Sequence, residues 1–87
     1  MKITKRNGNI TLYDDQKIVT SIMRANAETA ETDMTERIAA YIAGEVFARL
    51  TEDHEIITTQ EVRDCVSAVL CEKGFAETAK HYIEYKK

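Results

Sequence analysis

The sequence contains no proline and no tryptophan, only three glycines and two cysteines among 87 residues, and aromatic side chains make up 7% of it. Each scarcity excludes something. Without proline no element is broken by that residue, and no proline-rich linker divides the chain. Gly8, Gly44 and Gly74 are too scattered to build a Walker loop or a Gly-x-Gly-x-x-Gly fingerprint. Cys65 and Cys71 lack the Cys-x-x-Cys spacing of a zinc ribbon. Six helical residues turn through about 600°, so their side chains diverge and a local disulfide is not expected. Cys65 is expected to pack beside Val62, Val66 and Val69. No run of about 20 apolar residues is long enough to span a membrane, and no apolar stretch follows the basic start as in a secretory leader. The expected location is cytoplasmic.

Catalytic signatures are equally scarce. Ser21 and Ser67 fall within helical patterns and neither has an evident base. His54 and His81 form no His-x-x-x-His pair. His54 reads as an exposed loop residue, and His81, between Glu77 and Glu84, as a surface group making a weak contact along its helix. No activated nucleophile, acid–base pair or metal-ligand cluster emerges, so the chain is not expected to be an enzyme.

What is present is a soluble, globular balance of 44% apolar and 31% charged residues, in a length that suits one domain over residues 1–87. The net charge of −3 hides a strong asymmetry. Residues 1–27 carry +3, residues 28–61 carry −7 and residues 62–87 carry +1. A basic end on an otherwise acidic chain suits a small anionic ligand. It does not suit a nucleic acid, which needs a longer basic stripe and is repelled by the acidic middle.

The segment "KITKRNGNITLY" predicts a β-hairpin turning at Asn7-Gly8. A two-residue type I′ turn there pairs Arg6 with Asn9 and Ile3 with Leu12, and places Ile3, Ile10 and Leu12 on one face, with Lys5 at its turn end. Asp14 is a natural N-cap for a helix to about Ala27, with Ile18, Ile22 and Ala25 in helical spacing. Asp33-Met34-Thr35-Glu36 predicts a capping box opening a helix to about Leu50, with Ile38, Ile42 and Val46 in one apolar row and Ala39, Ala43 and Phe47 in the next. Its Ala40-Gly44-Ala48 stripe suits close packing inside the bundle, or less commonly between two copies of the chain. Thr58-Thr59-Gln60-Glu61 is a second capping box, ahead of Val62, Val66, Val69 and Leu70, and Gly74 supplies the stop. A last helix carries Phe75, Ala79, Tyr82 and Ile83, and Ile56-Ile57 suits a short strand beside the hairpin. The expected fold is α+β, mainly α: a four-helix bundle capped by an N-terminal hairpin in a sheet of two or three strands.

The basic residues are oddly placed for such a bundle. Lys17 and Arg63 fall in the first turns of their helices, where the macrodipole disfavours a cation. Asp14 and Asp15 beside Lys17, and Glu61 and Asp64 beside Arg63, supply the bland account. The functional one is an anion held at these helix N-termini, with Lys5 and Arg6 converging from the hairpin turn. Lys86 and Lys87 close the last helix, where the dipole favours cations.

Taken together, Ile3, Lys5-Arg6-Asn7-Gly8, Tyr13-Asp14 and Lys17-Ile18, with the closing "GFAETAKHYIEYKK", resemble the ATP cone. This is the nucleotide-sensing module of ribonucleotide reductases and of their transcriptional repressor, and the likeness is nearest to the anaerobic reductases. The resemblance spans essentially the whole chain. It implies a four-helix bundle covered by a three-stranded sheet, and adenine lying near Ile3, Thr11, Asp14 and Ile18, with Asp14 accepting from the adenine amine. It also implies phosphates met by Lys5, Arg6 and Lys17, completed by Thr59, Arg63 and Lys87. Relatives often carry an acid at the Thr11 position, histidine or glutamine at the Arg63 position, and arginine where Lys86 stands here. With no room for a catalytic domain and too few cysteines for a zinc ribbon, the chain is either a free-standing cone or an excised domain, and its opening at Met1 favours the first.

The expected function is therefore a non-catalytic regulatory domain that binds ATP or dATP as effector, with or without Mg²⁺. It would signal by self-association or through a partner such as a ribonucleotide reductase or a related regulator. The alternative is a structural protein-interaction module that keeps the cone fold without the nucleotide. Neither a membrane nor a nucleic acid is an expected partner.

Overall fold

The computed structural model describes residues 2–53 and 56–85. The chain runs β1 (Lys2–Thr4), β2 (Ile10–Leu12), α1 (Asp15–Ala27), α2 (Glu36–Asp53), β3 (Ile56–Thr58), α3 (Thr59–Glu72) and α4 (Ala76–Tyr85). The fold is α+β and mainly α, with four helices and one small sheet. The helices form a ring in which α1 packs on α2 and α4, and α3 packs on the same two. Val19, Ile22 and Ala25 of α1 meet Ala39, Ile42, Ala43 and Val46 of α2, Val62, Val66, Val69 and Leu70 of α3, and Phe75, Ala79 and Tyr82 of α4 in one buried cluster. Cys65 packs half-buried against it, and burial pushes its thiol pKa up. Cys71 is exposed, and both cysteines are free. No described helix is long and apolar enough to cross a membrane.

The sheet has the order β2-β1-β3. β1 pairs antiparallel with β2, Ile3 opposite Thr11, and parallel with β3, Ile3 opposite Ile57. Ile3 and Ile57 point inward and cover the helices. This register is one residue away from the expected one. The turn is a three-residue loop: Lys5 N–H donates to the Asn9 carbonyl (2.7 Å) and Gly8 N–H to the Lys5 carbonyl (2.9 Å). Gly8 has φ of +88° and Asn7 keeps a negative φ, so the two positive values of a type I′ turn are not adopted. Asn7 Oδ1 instead accepts from Asn9 N–H at 3.0 Å. A slip of one residue exchanges the faces of a strand. Ile10 and Leu12, expected beside Ile3, therefore lie on the outer face, 60% and 69% exposed, and Thr11 turns inward.

The helix ends follow local chemistry. The Asp14 carboxylate accepts from Gln16 N–H (2.9 Å) and caps α1. Thr58 and Glu61 close a full capping box on α3. At the C-terminus of α3, Gly74 has φ of +91°, and Phe75 N–H donates to the Leu70 carbonyl at 2.8 Å, the pattern of a Schellman stop. α2 departs from expectation. Its cap is Thr35, whose hydroxyl accepts from Ile38 N–H at 3.1 Å, rather than Asp33. Met34 is buried, and placing it immediately before the cap lets it join the core. α2 also runs past Leu50 to Asp53. Ala40, Gly44 and Ala48 all face solvent, so the stripe packs no helix of the bundle, and Phe47 of the second apolar row is 40% exposed. His54, Lys86 and Lys87 lie outside the described residues.

α4 takes its cap from another part of the chain. Glu31, in the connection between α1 and α2, accepts through Oε1 from Thr78 N–H (2.8 Å) and Thr78 Oγ1 (2.7 Å), and through Oε2 from Glu77 N–H (3.3 Å). Asn26 Nδ2 donates to the Glu31 carbonyl (2.7 Å) and to Thr78 Oγ1 (3.0 Å). Thr78 is fully buried and its hydroxyl is used as donor and acceptor. Partial burial pushes the Glu31 carboxyl up, but the bonds from Thr78 and Glu77 outweigh it and hold the pKa below the usual carboxylate range. A depressed carboxylate contributes stability above its unfolded pKa, near 4.3, that is lost as pH falls through the folded value. Glu31→Gln should therefore lower the thermal midpoint at pH 7, by an amount that shrinks as the pH falls below about 4.3, as read by circular dichroism melts at successive pH values.

Candidate functional site

Two strands and three helices meet at one concave surface. β1 contributes Ile3, β2 contributes Thr11 and Leu12, and the link that follows contributes Tyr13 and Asp14. Lys17 and Ile18 come from α1, Thr59, Val62 and Arg63 from α3, and Tyr82 from α4. They line a partly open cavity of about 170 Å³. A second hollow of about 270 Å³ is bounded by Thr4, Lys5 and Arg6 at the end of the hairpin and by Thr58, Thr59, Gln60 and Arg63 at the start of α3. Thr59 and Arg63 belong to both walls. The first hollow is largely apolar, with Asp14 and Lys17 at one edge. The second is basic and sits at a helix N-terminus, where the macrodipole adds positive potential.

The sequence-predicted residues distribute over these two hollows. Ile3, Thr11, Asp14, Lys17, Ile18, Thr59 and Arg63 line the first, and Lys5 and Arg6 line the second beside Thr59 and Arg63. Lys87 lies outside the described residues. Among the described residues the ion pairs join Arg49 to Glu45 and Glu72, and Lys73 to Glu45. Lys5, Arg6, Lys17 and Arg63 enter none of them. Three of the acids that flank these cations are committed elsewhere. Asp14 Oδ1 is the cap of α1, Glu61 closes its capping box, and Asp64 accepts from Gln60 Nε2 at 2.8 Å. Among the described residues Arg63 donates only to Gln60 Oε1, at 3.4 Å.

Leu12, Tyr13, Val62 and Tyr82 also line the cavity and were not among the site residues expected from the sequence. In Val62 and Tyr82 the pattern carries no signal, because a residue on the inner face of a helix shows the same spacing whether it meets another side chain or a cavity. Tyr13 is held rigidly. Its hydroxyl donates to the Ala43 carbonyl at 2.8 Å, and its ring lies against Phe47 with centroids 5.2 Å apart, tilted by 54°. Burial, then the charge of Asp15, pushes its phenol far above the ordinary value, so it remains a donor.

A helical bundle roofed by a short sheet, with an apolar hollow opening beside a basic one, defines a small α+β domain built around a composite concave site. The chain belongs to the ATP cone domain family, which it matches over residues 1–87. The ATP cone is a nucleotide-sensing, regulatory and non-catalytic domain of ribonucleotide reductases. The chain is similar to the vitamin B12-dependent ribonucleoside-diphosphate reductases of two Mycobacterium tuberculosis strains, CDC 1551/Oshkosh and ATCC 25618/H37Rv. Identity to each is 29% over 87 residues, covering 98% of this chain and 12% of the relative's length. These relatives are of the B12-dependent type, not the anaerobic type that the closing signature pointed to.

Because the Tyr13 hydroxyl ties the cavity wall to α2, Tyr13→Phe should cost about 0.5–1.5 kcal/mol. Urea denaturation followed by circular dichroism checks it, with helix content before the transition expected to be unchanged.

Proposed function

We propose that residues 1–87 act as one ATP-cone unit that binds ATP or dATP as an effector and regulates a ribonucleotide reductase or a related regulator, without catalysing a reaction itself. One observation carries the reading: Lys5, Arg6 and Arg63, from separate parts of the chain and free of ion pairs among the described residues, border one hollow at the N-terminus of α3, directly beside an apolar cavity. A ligand that is flat and apolar at one end and polyanionic at the other matches that pairing. Adenine would lie in the first hollow between Ile3 and Ile18. Asp14 uses Oδ1 to cap α1, and its second oxygen is free to accept from the exocyclic amine. Lys17 stands at the cavity edge, and the triphosphate would extend along Thr59 and Arg63 towards Lys5 and Arg6. Mg²⁺, where present, would ride on the phosphates, since Asp14 is the sole carboxylate among the described residues lining the two hollows.

The physics needs no covalent step. Charge-assisted hydrogen bonds are worth roughly 1.5–3 kcal/mol each, less where solvent screens them. Occupancy becomes a signal only insofar as the nucleotide prefers one conformational or association state over another. Self-association, or docking on a reductase in the cytoplasm, is the proposed readout.

Isothermal titration with ATP, dATP and GTP tests the proposal, with size exclusion in the presence of each ligand reporting self-association. The adenine nucleotides should bind and GTP should bind more weakly. Lys5→Ala combined with Arg6→Ala should weaken ATP at least about tenfold without lowering the ligand-free melting midpoint. No heat for any nucleotide at high micromolar concentration would leave the interaction-module reading in its place.

A further inference from the structure

Helix α2 turns two aromatic side chains away from the core: Tyr41 is 63% exposed and Phe47 40%. They stand three residues to either side of Gly44, and at about 100° per residue each lies about 60° round the helix from it, on opposite flanks. Between the two flanks the exposed positions are Ala40, Gly44 and Ala48, with Arg37 and Thr51 beyond them at the ends. The face is a floor of small side chains between two aromatic walls, uncharged over its middle. Both walls are held in place. Tyr41 packs under the Lys73 ammonium, and the Phe47 ring lies against Tyr13.

This face is its own complement. Counted outward from Gly44, an aromatic stands at the third residue in both directions and an alanine at the fourth. A two-fold axis beside Gly44 lays a second α2 antiparallel on the first and brings positions equally far from Gly44, on opposite sides of it, to one height. Helical phase then sets Phe47 of one copy over Ala40 of the other, and Tyr41 over Ala48. Every large side chain meets a small one, as an isologous interface requires, and Gly44 leaves room where the axes cross. Nothing in the fold calls for glycine there: a Cβ added at Gly44 would meet no atom within 4 Å, and glycine inside a helix is otherwise unfavourable.

Charge is complementary in the same arrangement. The last turn of α2 holds no basic residue, and Glu52 stands there at the negative end of the macrodipole. The antiparallel copy brings Arg37 to that end, on the flank where Glu52 stands, while Glu36 falls on the other flank. Neither Arg37 nor Glu52 enters an ion pair among the described residues.

We propose that the exposed face of α2 is a homodimer interface, on which a second copy of this chain packs its own α2 antiparallel across Gly44. The proposal gives a surface to the self-association named above, but it rests on α2 alone and needs no nucleotide. One helix face is small for a specific interface, so the dimer is weak, with a dissociation constant of about 10 μM to 1 mM.

Sedimentation equilibrium of the ligand-free chain tests it. The unmutated chain should fit a monomer–dimer equilibrium in that range. Gly44→Gln should weaken the dimer at least about tenfold without lowering the thermal midpoint of the dilute monomer, because glutamine is the better helix former and its Cβ has room. Arg37→Glu and Glu52→Arg should each weaken it about three- to thirtyfold, since each acts twice in a symmetric dimer, and the two combined should restore it. A chain that stays monomeric to about 1 mM would overturn the proposal. So would a dimer indifferent to Gly44→Gln, or a combined charge reversal no better than the single ones. A monomeric chain that binds ATP removes this proposal alone, and a dimer that binds no nucleotide removes the nucleotide reading alone.

Discussion

The parallel pairing of β1 with β3 is the constraint on which the site depends. It sets Ile3 beside Ile57 and Thr4 beside Thr58, and Thr58 is the cap of α3. The hairpin turn continues directly from Thr4, so the same few ladder bonds carry Lys5 and Arg6 to the first turn of α3, where Thr59 and Arg63 stand. Three-residue strands supply little pairing energy of their own, and a lone hairpin is marginal in water. The sheet persists because Ile3 and Ile57 bury their side chains on the helices, so that the core and the site draw on the same two residues.

Around that junction the molecule keeps its polar groups satisfied where they are structural and leaves them open where the site lies. Away from the cavity, Glu31, Thr78 and Asn26 saturate one another, and Arg49 binds Glu72 through both terminal nitrogens, which holds the Glu72 carboxyl below its usual range. At the cavity, four cations enter no ion pair among the described residues. Unrelieved positive charge at a helix N-terminus opposes folding, and an anion there would relieve it. On the proposed reading, the same unpaired charge would both disfavour this corner without a ligand and favour an anion in it.

The outer face of the sheet and of α2 shows the other consequence of small size. Ile10, Leu12 and Ile56 lie in solvent on the sheet, as do Tyr41 and the Ala40-Gly44-Ala48 stripe on α2. A domain this short has more apolar surface than its single core can take in, and the inward positions go to the side chains whose register and helical phase point them there. Tyr41 is partly reconciled with water by Lys73, whose ammonium lies 5.2 Å from the ring centroid.

Much of this was legible in the chain itself, and the division follows the range of the interactions. Capping boxes, the glycine stop at Gly74, helical periodicity and the hairpin turn are contacts within a few residues, so the sequence alone determined the four helices, their order and the presence of a small sheet. Lys5, Arg6, Lys17 and Arg63 stood out for the same reason, since their conflict with the macrodipole or their place at a turn is local. The hairpin register was not decided locally. Asn7-Gly8 suits both a two- and a three-residue loop, and which of Ile3 and Thr11 or Ile10 and Leu12 faced inward depended on how β1 seated against β3 and the bundle. The cap of α2 moved from Asp33 to Thr35 through the burial of Met34, and α4 was capped by Glu31 from across the molecule. Whether Tyr82 would be core or cavity wall was likewise left to the packing of α4 against α3 and the hairpin. Spacing in a sequence reports which face of an element is apolar, and only the arrangement of the other elements decides what that face meets.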